Sequence, residues 1–231
     1  MVSSSSSVNL NHPRYPVWDI GVRLFHWLLL LLLIGAWITV ERGNMLWHSY
    51  CGYALLTLLL FRLFWGLWGS HYARFSQFIR SPKAVIDYFK GRSPHAPGHN
   101  PAGGWSVAAM LLLLLLQAIS GLFAYDDILF EGPWYGAVSA EIAERLTQLH
   151  HLNFNLIMAL VGLHIGAIIL YRLRGEALII AMVKGKGEGR YSYSTYPPAP
   201  LWRMVLTLLL AVAIVVLLLW LAPEPEVSAF Y

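Results

Sequence analysis

Hydrophobic residues fall along this chain in long blocks separated by short polar stretches, unlike the mixed periodic pattern of a water-soluble fold. A helix needs roughly 20 apolar residues to cross the hydrocarbon core of a bilayer. Five blocks reach that length: Ile20–Val40, Leu46–Trp68, Trp105–Tyr125, Leu146–Tyr171 and Leu201–Leu221. Each predicts a membrane-spanning helix, and none of them contains Asp or Glu. The fourth helix is expected to begin before the membrane, near Ser139, where Ser followed by Glu141 and Ile142 has the composition of a helix start. The longest connection, Gly69–Gly104, carries Phe75, Phe78, Ile79, Val85, Ile86 and Phe89 at mixed helical spacing. This predicts an amphipathic helix over Phe75–Phe89 lying on the membrane surface. The Pro-, Gly- and His-rich stretch Gly91–Gly104 predicts a loop, and Pro133 and Gly136 punctuate the next connection.

Composition sharpens this picture. Of 231 residues, 12% are charged, against about a quarter in soluble domains, and the mean hydropathy is +0.57. The expected fold is therefore all-α: an integral membrane helix bundle with a four-helix core and a fifth, C-terminal transmembrane helix. Residues 1–16, with the serine run Ser3–Ser7, lack the features of a secretory signal and are expected to form a disordered cytoplasmic tail. Residues 17–195 make up the four-span domain, and 196–231 the fifth helix with a short periplasmic tail. The single cysteine, Cys51, excludes an internal disulfide and a thiolate cluster and is expected to be a small buried side chain.

The net charge of +4 matters less than its placement. Two connections are basic, one through Arg74, Arg80, Lys83, Lys90 and Arg92, the other through Arg172, Arg174, Lys184, Lys186, Arg190 and Arg203. The connection between them carries Asp126, Asp127, Glu131, Glu141 and Glu144 against Arg145 alone. Short loops rich in Lys and Arg stay in the cytoplasm, so the N-terminus is expected inside and the C-terminus in the periplasm. The basic segments flank spans and carry no recognition motif, so lipid headgroups rather than nucleic acid account for them. The acidic outer connection is either a plain solvated loop or a surface that steers a cationic soluble partner.

Histidine is costly in hydrocarbon and normally faces a partner, a cavity or a cofactor. His150 and His164 on the fourth span are fourteen residues apart, which brings them within about 40° of one face and separates them by roughly 21 Å. They cannot share one iron, but each can serve one near opposite membrane surfaces. His26, just after Arg23, matches the depth of His164 on the cytoplasmic side; His48 opens the second span at the outer surface, as His150 opens the fourth. His26 with His164 would thus clamp an inner haem and His48 with His150 an outer one. Two axial imidazoles leave no open position and favour electron transfer over oxygen binding. Gly52 and Gly121, like Gly35 and Gly162, lie within spans, where the missing side chain admits either a neighbouring helix or a flat macrocycle. Arg62, roughly 24 Å along the second helix from His48, either pairs with an inner haem propionate or snorkels to lipid. Asn155 is a polar group that needs a partner.

These residues bear a family likeness. The run Val17-Trp18-Asp19 through Arg23-Leu24-Phe25-His26-Trp27, then Trp47-His48 with Gly52-Tyr53, then Phe61-Arg62-Leu63-Phe64-Trp65-Gly66, resembles the bacterial cytochrome b-561 and nickel–iron hydrogenase b-type cytochrome superfamily. So do Gly98-His99-Asn100-Pro101-Ala102-Gly103-Gly104 and the stretch from Gln148-Leu149-His150 to Leu163-His164. The resemblance covers about Val17–Lys186. It implies a di-haem membrane cytochrome with axial ligands His26, His48, His150 and His164 and two haems b. It also implies electron exchange between quinone and a periplasmic or membrane-attached redox partner. Gly98–Gly104, with Asn100, would shape the inner haem edge or a quinone niche, unless it is an ordinary turn. His151 stands where the family commonly has an acidic residue. His12, His71, His95 and His99 are expected at the surface. The fifth span carries no histidine and departs from the four-span core, as a packing or partner-docking helix.

The expected function is electron transfer across the bacterial inner membrane between the quinone pool and a periplasmic c-type cytochrome, in a respiratory chain. The alternatives are the membrane anchor of a periplasmic nickel–iron hydrogenase or related oxidoreductase, and a stand-alone superoxide or quinone oxidoreductase. A homodimer is compatible with each. A transporter with histidine relays would call for intramembrane carboxylates, and the spans have none.

Overall fold

The computed structural model describes residues 14–92, 100–126, 130–188 and 196–224. Its helices run α1 (Ile20–Glu41), α2 (Met45–Trp68), α3 (Phe75–Phe78), α4 (Pro82–Phe89), α5 (Pro101–Gly121), α6 (Ala140–Leu173), α7 (Leu178–Lys184) and α8 (Leu201–Trp220). Among them α1, α2, α5, α6 and α8 are long and apolar enough to cross a membrane. The fold is the expected all-α membrane bundle.

Polar caps set the helix starts. Asp19 accepts from the Val22 amide at α1, and Asn44 from the Trp47 amide at α2. Ser139 accepts from the Ile142 amide, so α6 begins where its sequence indicates, ahead of the apolar block that starts at Leu146. The third span begins earlier than its hydropathy suggests, because Asn100 caps it at the Gly103 amide and Pro101 suits the first helical turn. It also ends earlier, at Gly121: the chain folds back, with the Gly132 amide on the Ala124 carbonyl and the Trp134 amide on that of Leu122. The single amphipathic helix expected over Phe75–Phe89 is instead two, α3 and α4. Proline disfavours helical conformation in the residue before it, and Ser81, extended, caps a new helix that starts at Pro82.

The tail expectation needs correction at its end. Residues 1–13 lie outside the described residues, but Arg14–Pro16 form a strand, β1, antiparallel to β2 (Lys186–Glu188). The Val17 and Trp18 amides continue the pairing onto the Gly185 carbonyl. The Arg23 guanidinium bonds the Met182 and Val183 carbonyls at the end of α7. Backbone pairing available only from a distant segment thus orders the entry to α1.

Helix α2 is the hub, packed against α1, α5 and α8, while α5 packs against α6. Its buried face includes Leu59, Phe61 and Trp65. Helix α8, expected as a packing or partner-docking helix, packs on α2 through Thr207, Ala211 and Val215, with Trp68 Nε1 donating to Thr207 Oγ1 at 2.9 Å.

Candidate functional site

At the junction of α2, α5 and α6, His48 and His150 face each other with ring centroids 6.2 Å apart and planes at 83°. His48 Nδ1 lies 2.9 Å from the Ala36 carbonyl of α1. His150 Nδ1 lies 3.0 Å from the Gln117 carbonyl and 3.2 Å from Ser120 Oγ, both of α5. A carbonyl only accepts, so each Nδ1 carries the proton, and Nε2 is the lone-pair nitrogen in the neutral ring. Fixing one ring nitrogen on a carbonyl so that the other can ligate is the usual support of a metal-bound histidine. The spacing also fits: two imidazole–metal bonds of about 2 Å plus the ring radii place such centroids roughly 6 Å apart.

Gly121 belongs to this arrangement through the histidine. A Cβ there would stand 2.9 Å from His150 Cε1, so the absent side chain makes room for the imidazole itself. At Gly52 a Cβ would meet nothing within 4 Å, so no helix packs onto it and the helix-approach reading of this glycine fails.

The polar residue that holds α5 to α6 is Asn153 rather than Asn155. Asn153 is 1% exposed and donates to the Leu113 carbonyl and to Gln117 Oε1. Asn155 is exposed. Helical geometry explains this: Asn153 lies about 60° from His150 around the helix, whereas Asn155 lies about 140° away. Gln117 thus bonds α6 twice, by its side chain to Asn153 and by its carbonyl to His150.

The second pair is supported differently. His26 and His164 are both half-buried and near enough to interact electrostatically. His26 stands edge-on to Trp27, and its Nδ1 is buried without a hydrogen-bond partner. Nearby, Asp19 joins α1 to the end of α2 by accepting from Trp65 Nε1 and Ser70 Oγ. Arg62 does not snorkel. It is 3% exposed, its guanidinium carbon is 4.9 Å from the Phe75 ring centre and 5.8 Å from that of Phe78, and its Nη1 has no partner. A buried cation with an unused donor suits an anionic group entering the site.

Asn100 is occupied structurally. Its oxygen caps α5, and its Nδ2 donates to the phenols of Tyr88 (3.1 Å) and Tyr171 (2.7 Å). His71 is half-buried, stacked on Tyr196 at 3.6 Å; burial and then Arg74 lower its pKa. His151 is exposed, and Cys51 is half-buried beside Gly35. His12, His95 and His99 lie outside the described residues.

Among the described residues no cluster of three or more His, Cys, Asp or Glu could hold a bare metal ion. Paired imidazoles without further donors instead suit a metal whose other positions come from a macrocycle. The residues present therefore fit haem.

The chain is 28% identical to a Yersinia pestis protein described as a probable superoxide oxidase CybB, over 75% of this chain and 98% of that protein. No solved structure matches the chain. Residues 17–185, from just before α1 to just past α7, match the prokaryotic cytochrome b561 family. The chain belongs to that family and is a bacterial multi-pass membrane protein that carries b-type haem and transfers electrons.

Proposed function

We propose that this cytochrome holds two haems b, an outer one between His48 and His150 and an inner one between His26 and His164, and moves electrons between the quinone pool and a periplasmic redox partner. The observation that carries the reading is the outer pair: facing rings 6.2 Å apart, each with Nδ1 on a carbonyl. Held by these imidazoles, haem b would supply reversible one-electron chemistry. The chain does the rest. Ala36, Gln117 and Ser120 hold the outer imidazoles in one tautomer, Gly121 admits the His150 ring, and Arg62 offers a buried cation to a propionate at the inner site.

The four-span domain, 17–195, carries both sites, and 196–231 adds a fifth helix outside the ligand set. The basic connections lie in the cytoplasm, with the N-terminus inside and the C-terminus outside. The outer connection then presents Glu131, Glu141 and Glu144, with Arg145 bonded to Glu141 at 2.7 Å. Such a surface favours a cationic soluble protein, as a c-type cytochrome can provide.

A second reading rests on the Yersinia pestis relative, described as a probable superoxide oxidase: superoxide is the outer electron donor. An acidic outer surface slows approach of that anion. The test is a pyridine haemochrome and redox titration of purified protein, expected to give about two haems per chain and two centres. Stopped-flow mixing with reduced cytochrome c or with superoxide then separates the donors, and a one-haem titration sinks the ligand pairing.

A further inference from the structure

Asn153 follows His150 by three residues on α6 and bonds the same stretch of α5 that holds the His150 ring. Its Nδ2 donates to the Leu113 carbonyl at 2.9 Å and to Gln117 Oε1 at 2.8 Å. The Gln117 carbonyl lies 3.0 Å from His150 Nδ1. Ser120 Oγ, in a residue 1% exposed, lies 3.1 Å from that carbonyl and 3.2 Å from Nδ1. One side chain of α6 thus grips α5 at two points a turn apart, and the second is the residue whose carbonyl orients the imidazole. Among the described residues His48 Nδ1 bonds the Ala36 carbonyl alone.

Helix packing by itself does not account for Asn153. The residue is 1% exposed, and its Oδ1 is buried without a hydrogen-bond partner. An unpaired buried acceptor is destabilising, and an apolar side chain of similar shape is often neutral or better in its place. What asparagine supplies and leucine cannot is a pair of fixed donors. They act close to the end of α5 at Gly121, and helix ends fray. Pinning this stretch from α6 fixes the Gln117 carbonyl against the ring. A carbonyl held on Nδ1–H makes the imidazole more basic and a better donor at Nε2. Hydrogen bonding around the ligands is one of the levers on a haem potential, and a more electron-rich ligand favours the oxidised metal.

Resting on the proposed outer pair, we propose that Asn153 is a positioning residue for His150, which acts through Gln117 to hold the outer haem at a lower midpoint potential than the two imidazoles alone would give. His26 Nδ1 is buried without a partner, so the second pair receives no matching support. The network therefore separates the two centres in electron affinity. It also assigns the unpaired Asn153 Oδ1 a reason: the side chain is retained for its donors, not for its acceptor.

The experiment uses the full-length, haem-loaded protein in lipid nanodiscs. Wild type, Asn153→Leu, Gln117→Leu and the double variant are compared by haem content and by redox titration of each centre, the outer one being that lost in His48→Ala. Leucine nearly keeps the volume of either side chain and removes its amide. The expected result is about two haems per chain in every protein. In Asn153→Leu the ferrous-to-ferric ratio of the outer centre at a given applied potential rises about tenfold, an upward shift of about 59 mV for one electron. The inner centre does not move. Gln117→Leu shifts the outer centre the same way, and the double variant goes no further than the larger single one, because the two side chains form one network. Loss of the outer haem alone from Asn153→Leu supports the same role. An outer potential that stays or falls, equal shifts at both centres, or additive shifts in the double variant overturn the proposal. Loss of both haems from Asn153→Leu and Gln117→Leu alike makes the contact a strut of the fold and overturns it too. A His150→Ala protein that keeps both centres refutes the underlying pairing instead.

Discussion

The two histidine pairs carry the same side chains, yet the protein surrounds them in different ways. At the outer pair, backbone carbonyls of neighbouring helices orient both rings: Ala36 for His48, Gln117 for His150. At the second pair His26 Nδ1 is buried without a partner, and on α2 the cation Arg62 is buried beneath two phenylalanines. On the proposed pairing, ring orientation defines one site and charge the other. Orientation confers geometric precision; a buried charge confers a preference for an anionic group and for the reduced metal, since a nearby cation stabilises an added electron.

That contrast can be broken most directly at the ligands. His48→Ala should leave one haem per chain with the inner centre's potential nearly unchanged, and His26→Ala should do the reverse. Haemochrome and redox titration of the two proteins check this; loss of both centres in either would mean that the sites are not independent. A smaller effect is expected from Gly121→Ala, whose methyl would press on the His150 ring at 2.9 Å. It should weaken outer haem binding about 10- to 100-fold, the range for disturbed support of a metal ligand, and spare the inner centre, as read by haem-transfer competition. Smallest is Arg62→Met, which keeps the packing beneath Phe75 and Phe78. It should lower the inner midpoint potential by on the order of tens of millivolts and leave the outer one in place. An upward shift, or a shift confined to the outer centre, would contradict the charge-defined inner site.

Several of these features were legible in the chain alone. The fourteen-residue interval from His150 to His164 is a helical-face argument that needs no fold, and Ser139 announces the start of α6 by its own side chain. Asn153 is equally readable from its angle to His150, whereas polarity alone does not separate it from Asn155. Other roles depended on neighbours distant in sequence. Arg62 is cationic at the end of an apolar block and so suits snorkelling equally well, until α3 brings Phe75 and Phe78 over it. Asn100 sits in a signature-like loop, yet what it does is set by Tyr88 and Tyr171, the latter 71 residues away. Gly121 was open to two explanations, and only the approach of His150 from α6 chose between them.

Apolar block length and the presence of histidines within those blocks were sufficient for the number of spans and the kind of cofactor, because burial in a bilayer and helical pitch are local properties of the chain. Packing across helices alone decided which carbonyl holds which imidazole, that Arg62 is buried and that β1 pairs with β2. Hydrogen bonds and ring contacts act over a few ångströms between groups whose sequence separation carries no information about their distance.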